Sequence, residues 1–255
     1  MSTSSPLTYG NYLKLDELLT LQCPKSTPIV PDELLFITVH QVFELWLKLL
    51  LFELSRARDE MLVGESYAPR VRLERCRVIE RTLLEQFDVL DSMETAEFVR
   101  FREALDTASG AQSVQFLEVE FLSGLKDPCY AEHRDWLTAD EHELLRRRLS
   151  EPCLWEAFLA VLDGAGFDVS TPHQRSAGYL AIAQDREKYG ALWDLLEAMV
   201  GHDQSWLMWR ARHAVAVERQ IGAKIGTGGS IGASYLQSRV NLRFYPELWE
   251  MRSQL

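Results

Sequence analysis

The hydrophobic positions of this chain recur every three to four residues over long stretches, and no convincing run of alternating apolar and polar residues interrupts them. That is the period of helices buried along one face. Pro31 and Asp32 open the first long pattern, with proline ahead of the cap and acids in the first turn. Its positions Leu35, Thr38, Val42, Leu45, Leu49 and Phe52 read as a core stripe. Phe36, His40, Phe43 and Leu47 form a second stripe beside it. Phe36 and His40 are four apart, so they share a side one turn apart. A second long helix is expected over residues 67–93, through Val71, Val78, Leu83, Leu84, Phe87 and Leu90. A third is expected over 95–106, and an apolar stretch over 114–122. Two short helices split by Glu151-Pro152 follow over 139–165, ended by Gly164 and Gly166. A long helical region over 174–222 is expected to break near Gly201.

Residues 1–31 are different. They are rich in Ser, Pro and Thr, yet hold Leu7, Tyr9, Tyr12, Leu13, Leu15, Leu18 and Leu19. Such an arm does not fold alone and must dock on its own domain or on a neighbouring subunit. The expected organisation is therefore all-α: an N-terminal arm, residues 1–31, and one helical domain, residues 32–255. The chain has no internal repeat and no low-complexity tract.

Composition narrows the function classes. Lys and Arg number 27 against 38 Asp and Glu, for a formal net charge of −11. That balance argues against a general nucleic-acid binder or a protein drawn to anionic membranes. Cys23, Cys76, Cys129 and Cys153 form no CxxC pair and no zinc-finger spacing. The start lacks a basic region followed by an apolar core, and the apolar run from Leu34 to Leu54 is broken by His40, Gln41, Glu44, Lys48 and Glu53. A cytoplasmic protein with free thiols is the simplest expectation.

Six histidines are candidates for chemistry: His40, His133, His142, His173, His202 and His213. His213 ends the apolar helical run Trp206-Leu-Met-Trp-Arg-Ala-Arg-His, with small residues at Ala211, Ala214 and Ala216 beside it. One imidazole in an apolar pocket suits a haem iron. A core histidine with a satisfied hydrogen bond is the plainer alternative, and by itself it leads. His40 is open between an iron ligand, a distal hydrogen-bond partner and a packed residue. No HExxH motif is present. The Gly-dense segment from Gly226 to Ser234 is not a P-loop, because no Lys follows the glycines. It is not a dinucleotide fingerprint either, because Ile231 stands where the third glycine belongs. It reads as a loop able to close over a ligand, with Thr227 as a donor, or as a flexible connector. Arg102, among Phe98, Phe101 and Leu105, suits a bidentate carboxylate contact, with an ion pair to a nearby acid as the alternative.

These features occur together and in order, and the chain resembles the tryptophan 2,3-dioxygenase family. The resemblance is carried by the Tyr9–Tyr12–Leu13 segment, the helix around Phe36 and His40, Phe101-Arg102 through Ser109-Gly110, Trp209-Arg-Ala-Arg-His213, Gly226-Thr-Gly-Gly-Ser-Ile-Gly, and Phe244-Tyr-Pro-Glu-Leu-Trp. It spans nearly the whole chain. It implies an all-helical homotetramer with haem b, held by His213 as the axial iron ligand. His40 would lie on the distal side near the indole N–H, and Phe36 would pack on the indole. Arg102 and Thr227 would grip the amino acid's carboxylate and ammonium, with Phe98 and Ser109 nearby. Tyr9, Tyr12 and Leu13 would reach a neighbouring subunit's pocket. O2 would be the co-substrate and L-tryptophan or a substituted tryptophan the partner, giving an N-formylkynurenine-type product. Three positions depart from the family pattern. Phe98 stands for a usual Tyr, Ala111 for a usual Phe and Leu117 for a usual Arg. These departures motivate an alternative on the same scaffold, insertion of one oxygen to give an oxindole-type product. A haem sensor and a haem-free helical interaction protein are the remaining readings. Arg102 and Thr227 weigh against the sensor, which has no need of an amino-acid clamp.

Overall fold

The computed structural model describes residues 6–128, 134–227 and 232–255. Cys129 and His133, and Gly228, Gly229, Ser230 and Ile231 of the glycine segment, lie outside the described residues. Within them the protein is helical and no strand occurs. The elements are α1 (Tyr9–Leu13), α2 (Leu15–Leu18), α3 (Pro31–Leu62), α4 (Tyr67–Asp91), α5 (Thr95–Arg102), α6 (Val114–Ser123), α7 (Ala139–Ser150), α8 (Leu154–Gly164), α9 (Pro172–Gln184), α10 (Arg186–Ile221), α11 (Ala233–Arg239) and α12 (Pro246–Glu250).

Local chemistry sets the boundaries. Pro31 is the first helical residue of α3 and Val30 is its cap, so the proline follows the cap where it was expected to precede it. Proline suits that position because its missing N–H would have no helical partner there. The Ser113, Thr138 and Thr171 hydroxyls accept backbone N–H bonds at the starts of α6, α7 and α9. Gly124 (φ 124°) ends α6 and Gly166 (φ 88°) follows α8, both in backbone conformations that side chains resist. The third expected helix stops at Arg102, and a 3-10 turn, Glu103–Leu105, finishes it.

The break expected near Gly201 lies elsewhere. α10 runs through Gly201, and the interruption is at Asp185, whose carboxylate caps α10 by accepting from Lys188 N. Gly201 has a packing reason instead. The Arg77 guanidinium lies so close that a Cβ there would sit 2.7 Å from its Nε.

α3 and α10 both pack along α4, and α6 and α8 close the other side of α3. Leu50, Leu54, Leu73, Leu83, Leu196, Met199 and Trp206 fill the core between them. Buried acids tie the helices together. Glu53 of α3 takes Arg72 and Arg75 of α4, at 3.0 and 2.7 Å. Glu120 of α6 takes Arg210 of α10 at 2.8 Å and Arg239 of α11 at 3.1 Å.

The two stripes of α3 exchange roles relative to the sequence expectation. Phe43 and Leu47 of the second stripe are buried, while Thr38, Leu45, Leu49 and Phe52 of the expected core stripe are exposed. α3 is also the described helix long and apolar enough, by length and composition, to cross a membrane. An apolar periodicity says that a face is meant to be covered, but not by which partner. The arm is divided. Its distal end anchors on α3, where Glu33 accepts from Lys25 N and Ser26 N at 2.6 and 2.9 Å, and Gln22 donates to Gln41 at 2.6 Å. Tyr9 and Tyr12 stand 76% and 71% exposed.

The C-terminal segment is held by one buried carboxylate. Asp203 of α10 accepts from Phe244 N, Tyr245 N and the Trp249 indole N–H at 3.0, 3.1 and 2.9 Å. Asp203→Ala orphans three donors and should cost about 3 kcal/mol or more, read from the urea unfolding midpoint. A loss below about 1 kcal/mol would show that the segment is held otherwise.

Candidate active site

The aromatic and histidine side chains of α3, α4 and α10 meet in one continuous cluster. Phe36 and His40 contact each other with ring centroids 4.0 Å apart. His40 lies 6.1 Å from Phe43, and Phe43 lies 5.4 Å from Phe87 and 6.4 Å from Trp209. Phe87 and Trp209 in turn lie 5.9 and 4.9 Å from His213. The two histidines, far apart in the chain, thus share one apolar chamber, and His40 is close enough to help lower the His213 pKa.

Hydrogen bonding distinguishes the histidines. His202 has both ring nitrogens occupied, Nδ1 at 2.5 Å from Glu80 Oε1 and Nε2 at 2.8 Å from Ser123 Oγ, and it is fully buried. It is therefore a structural residue with no nitrogen to offer. His40 places Nδ1 2.7 Å from the Phe36 carbonyl oxygen. A carbonyl only accepts, so Nδ1 carries the proton and donates, and Nε2 presents a lone pair. Among the described residues His213 has no hydrogen-bond partner. Burial lowers the pKa of His40, against weaker opposing effects of the Phe36 carbonyl and Glu44. Burial, then the neighbouring His40, brings His213 down to about 4. Both rings are neutral at pH 7 as a result. An unengaged, neutral imidazole walled by Trp209 and Phe87 fits the donor requirement of a haem iron. Of the small residues near it, Ala216 is taken up by the core and yields no space.

A second group of residues borders this chamber. Phe98 and Phe101 lie 5.9 and 5.5 Å from Phe36, backing its ring in a cluster with Val30 and Met93. Arg102 follows on the same helix and donates to the Ile225 carbonyl. Thr227 Oγ donates to the Ala108 carbonyl at 2.7 Å. The start of the glycine segment is therefore drawn onto the 102–109 turn, and the structure brings Arg102, Thr227 and Phe36 to one region. Arg102 has no carboxylate partner among the described residues, so the ion-pair alternative does not apply there. Ser109 caps its own turn. Its Oγ accepts from Ala111 N at 3.3 Å, while its N–H donates to Gln112 Oε1 at 3.1 Å. Its hydroxyl proton stays free to donate.

Three expected site residues do not join this group within one chain. Tyr9, Tyr12 and Leu13 lie on the exposed arm. Two of the departures also lie elsewhere. Leu117 packs with Phe121, Leu137 and Leu145 in a separate cluster, and Ala111 is exposed on its turn. The ring that sequence reasoning passed over is Phe87, legible only as one apolar position among many in α4.

These features define a class: an all-α protein with a neutral histidine that has no hydrogen-bond partner among the described residues, joined through an aromatic cluster to a second, tautomer-fixed histidine, near an arginine with no carboxylate partner among the described residues. The tryptophan 2,3-dioxygenase family model matches residues 1–171 and 166–255. The chain is 52% identical over 253 residues to a tryptophan 2,3-dioxygenase of Nocardioides sp., covering 98% of this chain and 95% of that protein. It is 39% identical to tryptophan 2,3-dioxygenases of Herpetosiphon aurantiacus (99% of this chain, 100% of that protein) and Saccharopolyspora erythraea (98% and 93%). The chain belongs to the tryptophan 2,3-dioxygenase family.

The lowered histidine pKa values predict how the haem-free protein responds to acid. An unfolded histidine takes up its proton near pH 6.5, whereas folded His213 resists until about 4. The unfolded chain then binds more protons, so stability is full above pH 6.5 and falls as pH drops toward 4. Urea midpoints should decline over that range, and His213→Leu should flatten the decline. Equal slopes in the two proteins would contradict the assignment.

Proposed function

We propose that this enzyme opens the indole ring of L-tryptophan, or of a close analogue, with O2 at a haem b held by His213. The observation that carries the reading is the pairing of a neutral, unengaged His213 with a His40 whose tautomer is fixed. Haem, when bound, supplies the binding and activation of O2. The protein's own contribution is position and exclusion of water.

In this reading the His40 Nε2 lone pair accepts the indole N–H, and the proton on Nδ1 stays with the Phe36 carbonyl. Phe36, braced by Phe98 and Phe101, lies against the indole face and orients the C2–C3 bond. Arg102 takes the carboxylate. Its present acceptor, the Ile225 carbonyl, is neutral, and an anionic carboxylate is the stronger partner for a guanidinium. Thr227 takes the ammonium end, and Ser109 adds one donor at the same turn. Phe98 offers no hydroxyl, so Arg102 carries the carboxylate without that help.

The relatives' names favour the dioxygenase over single-oxygen insertion. Of the three departures behind that alternative, only Phe98 borders the Phe36 ring.

The exposed stripe of α3 and the exposed arm both support assembly with further copies of this chain, as a homotetramer in which Tyr9, Tyr12 and Leu13 complete a neighbour's pocket. Leu45, Leu49 and Phe52 are about half exposed, and burying the remainder against a second copy would add roughly 1 kcal/mol for each side chain.

Purified protein should carry about one haem per chain, lost in His213→Ala. Reduced enzyme given L-tryptophan and O2 should form N-formylkynurenine. Arg102→Leu should raise KM by about a hundredfold or more, the scale of a lost charged hydrogen bond. Haem-loaded enzyme that leaves every indole amino acid intact would overturn the reading. Leu49→Glu with Phe52→Glu should convert a tetramer to smaller species by light scattering, and an unchanged mass would refute the α3 interface.

A further inference from the structure

Of the three histidines on α3 and α10, two have their ring planes set by hydrogen bonds. His202 is clamped by Glu80 and Ser123, and His40 is tied to the Phe36 carbonyl. His213 has no such bond among the described residues. Iron-binding histidines ordinarily gain a fixed orientation by donating their second ring N–H to a carboxylate or carbonyl. Something else must set the plane of this ring.

Two rings touch it. Trp209 lies 4.9 Å away at 45° and belongs to the same helix, one turn back. Phe87 comes from α4 and lies 5.9 Å away at 29°, stacked on the imidazole. Phe87 is itself fixed on every side. It is 1% exposed, packs 5.4 Å from Phe43 and 5.6 Å from Trp209, and carries the Arg212 guanidinium 5.7 Å from its centroid. That guanidinium is in turn held by Asp88 at 3.0 Å and Asp91 at 2.8 Å, both on α4. A ring so constrained can transmit a fixed orientation to its neighbour.

We propose that Phe87 is a positioning residue for the iron ligand. By stacking on His213 from a different helix, it sets the imidazole plane that a hydrogen bond sets elsewhere. The inference rests on the haem reading above. Phe87 touches neither substrate nor reacting atoms in this role and acts only through His213. Removing the ring frees the imidazole to rotate and opens space beside it, so the iron–imidazole bond is held less uniformly.

The test compares haem-loaded wild type with Phe87→Leu, Phe87→Tyr and Phe158→Leu. Phe158 is an equally buried ring of the core and serves as the control for packing loss. Resonance Raman of the ferrous proteins reads the iron–histidine stretch, and transfer to apomyoglobin reads haem release. Phe87→Leu should shift or split the stretch and speed haem release about tenfold or more, the scale of an outer-shell partner. Phe87→Tyr, which keeps the ring, should restore both, and Phe158→Leu should leave the stretch unmoved. A Phe87→Leu protein with wild-type haem content, stretch and release rate overturns this inference alone. A wild-type chain that takes up no haem overturns the haem reading with it.

Discussion

The site depends on two long helices sharing a third. α3 and α10 meet along α4, and Phe87 of α4 stands between Phe43 of α3 and the Trp209–His213 pair of α10. That contact brings together rings up to 170 positions apart in sequence. The ion pairs of Glu53 tie α3 to α4 and that of Glu120 with Arg210 ties α6 to α10, outside the chamber. Charge is thus spent on assembling the scaffold, and the chamber itself is left apolar.

An apolar chamber decides the state of its histidines. Desolvation acts on both imidazoles and outweighs the influence of Glu44 on His40. A protonated histidine binds no metal and accepts no N–H, so the low polarity that makes the pocket hospitable to a flat aromatic ligand also keeps both rings usable. His202 shows the contrary solution in the same molecule. Paired with Glu80 at 2.5 Å and with Ser123, it is fully engaged and has no free nitrogen. Glu44 is an acid whose charge acts on His40, while Arg102 at the chamber's edge has no acidic partner among the described residues.

Much of this was legible in the sequence. Helix periodicity, the proline and acids at the start of α3 and the glycines at the end of α8 placed most elements within a few residues. The four-residue spacing of Phe36 and His40 foretold their contact, because helix geometry alone fixes it. Three features were out of reach for physical reasons. Gly201 carries the same letter whether it breaks a helix or admits an arginine across its face, and only the packing of Arg77 tells them apart. α3 has two apolar stripes, and periodicity cannot say which faces its own core and which stays exposed. Phe87 looks like any core residue of α4 until the fold brings α10 beside it. The surroundings of Ala111 and Leu117 could not be read from the sequence for a related reason. Position in a motif locates a residue along the chain, while its wall or cluster is chosen by tertiary packing.

The function proposed for this chamber is oxygenation of an indole at C2–C3, with both atoms of O2 entering the product. The most direct measurement is the mass of the product formed from L-tryptophan under isotopically labelled O2 by the reduced, haem-loaded enzyme. The account predicts a ring-opened product carrying two labelled oxygen atoms. A closed-ring product carrying one would contradict it.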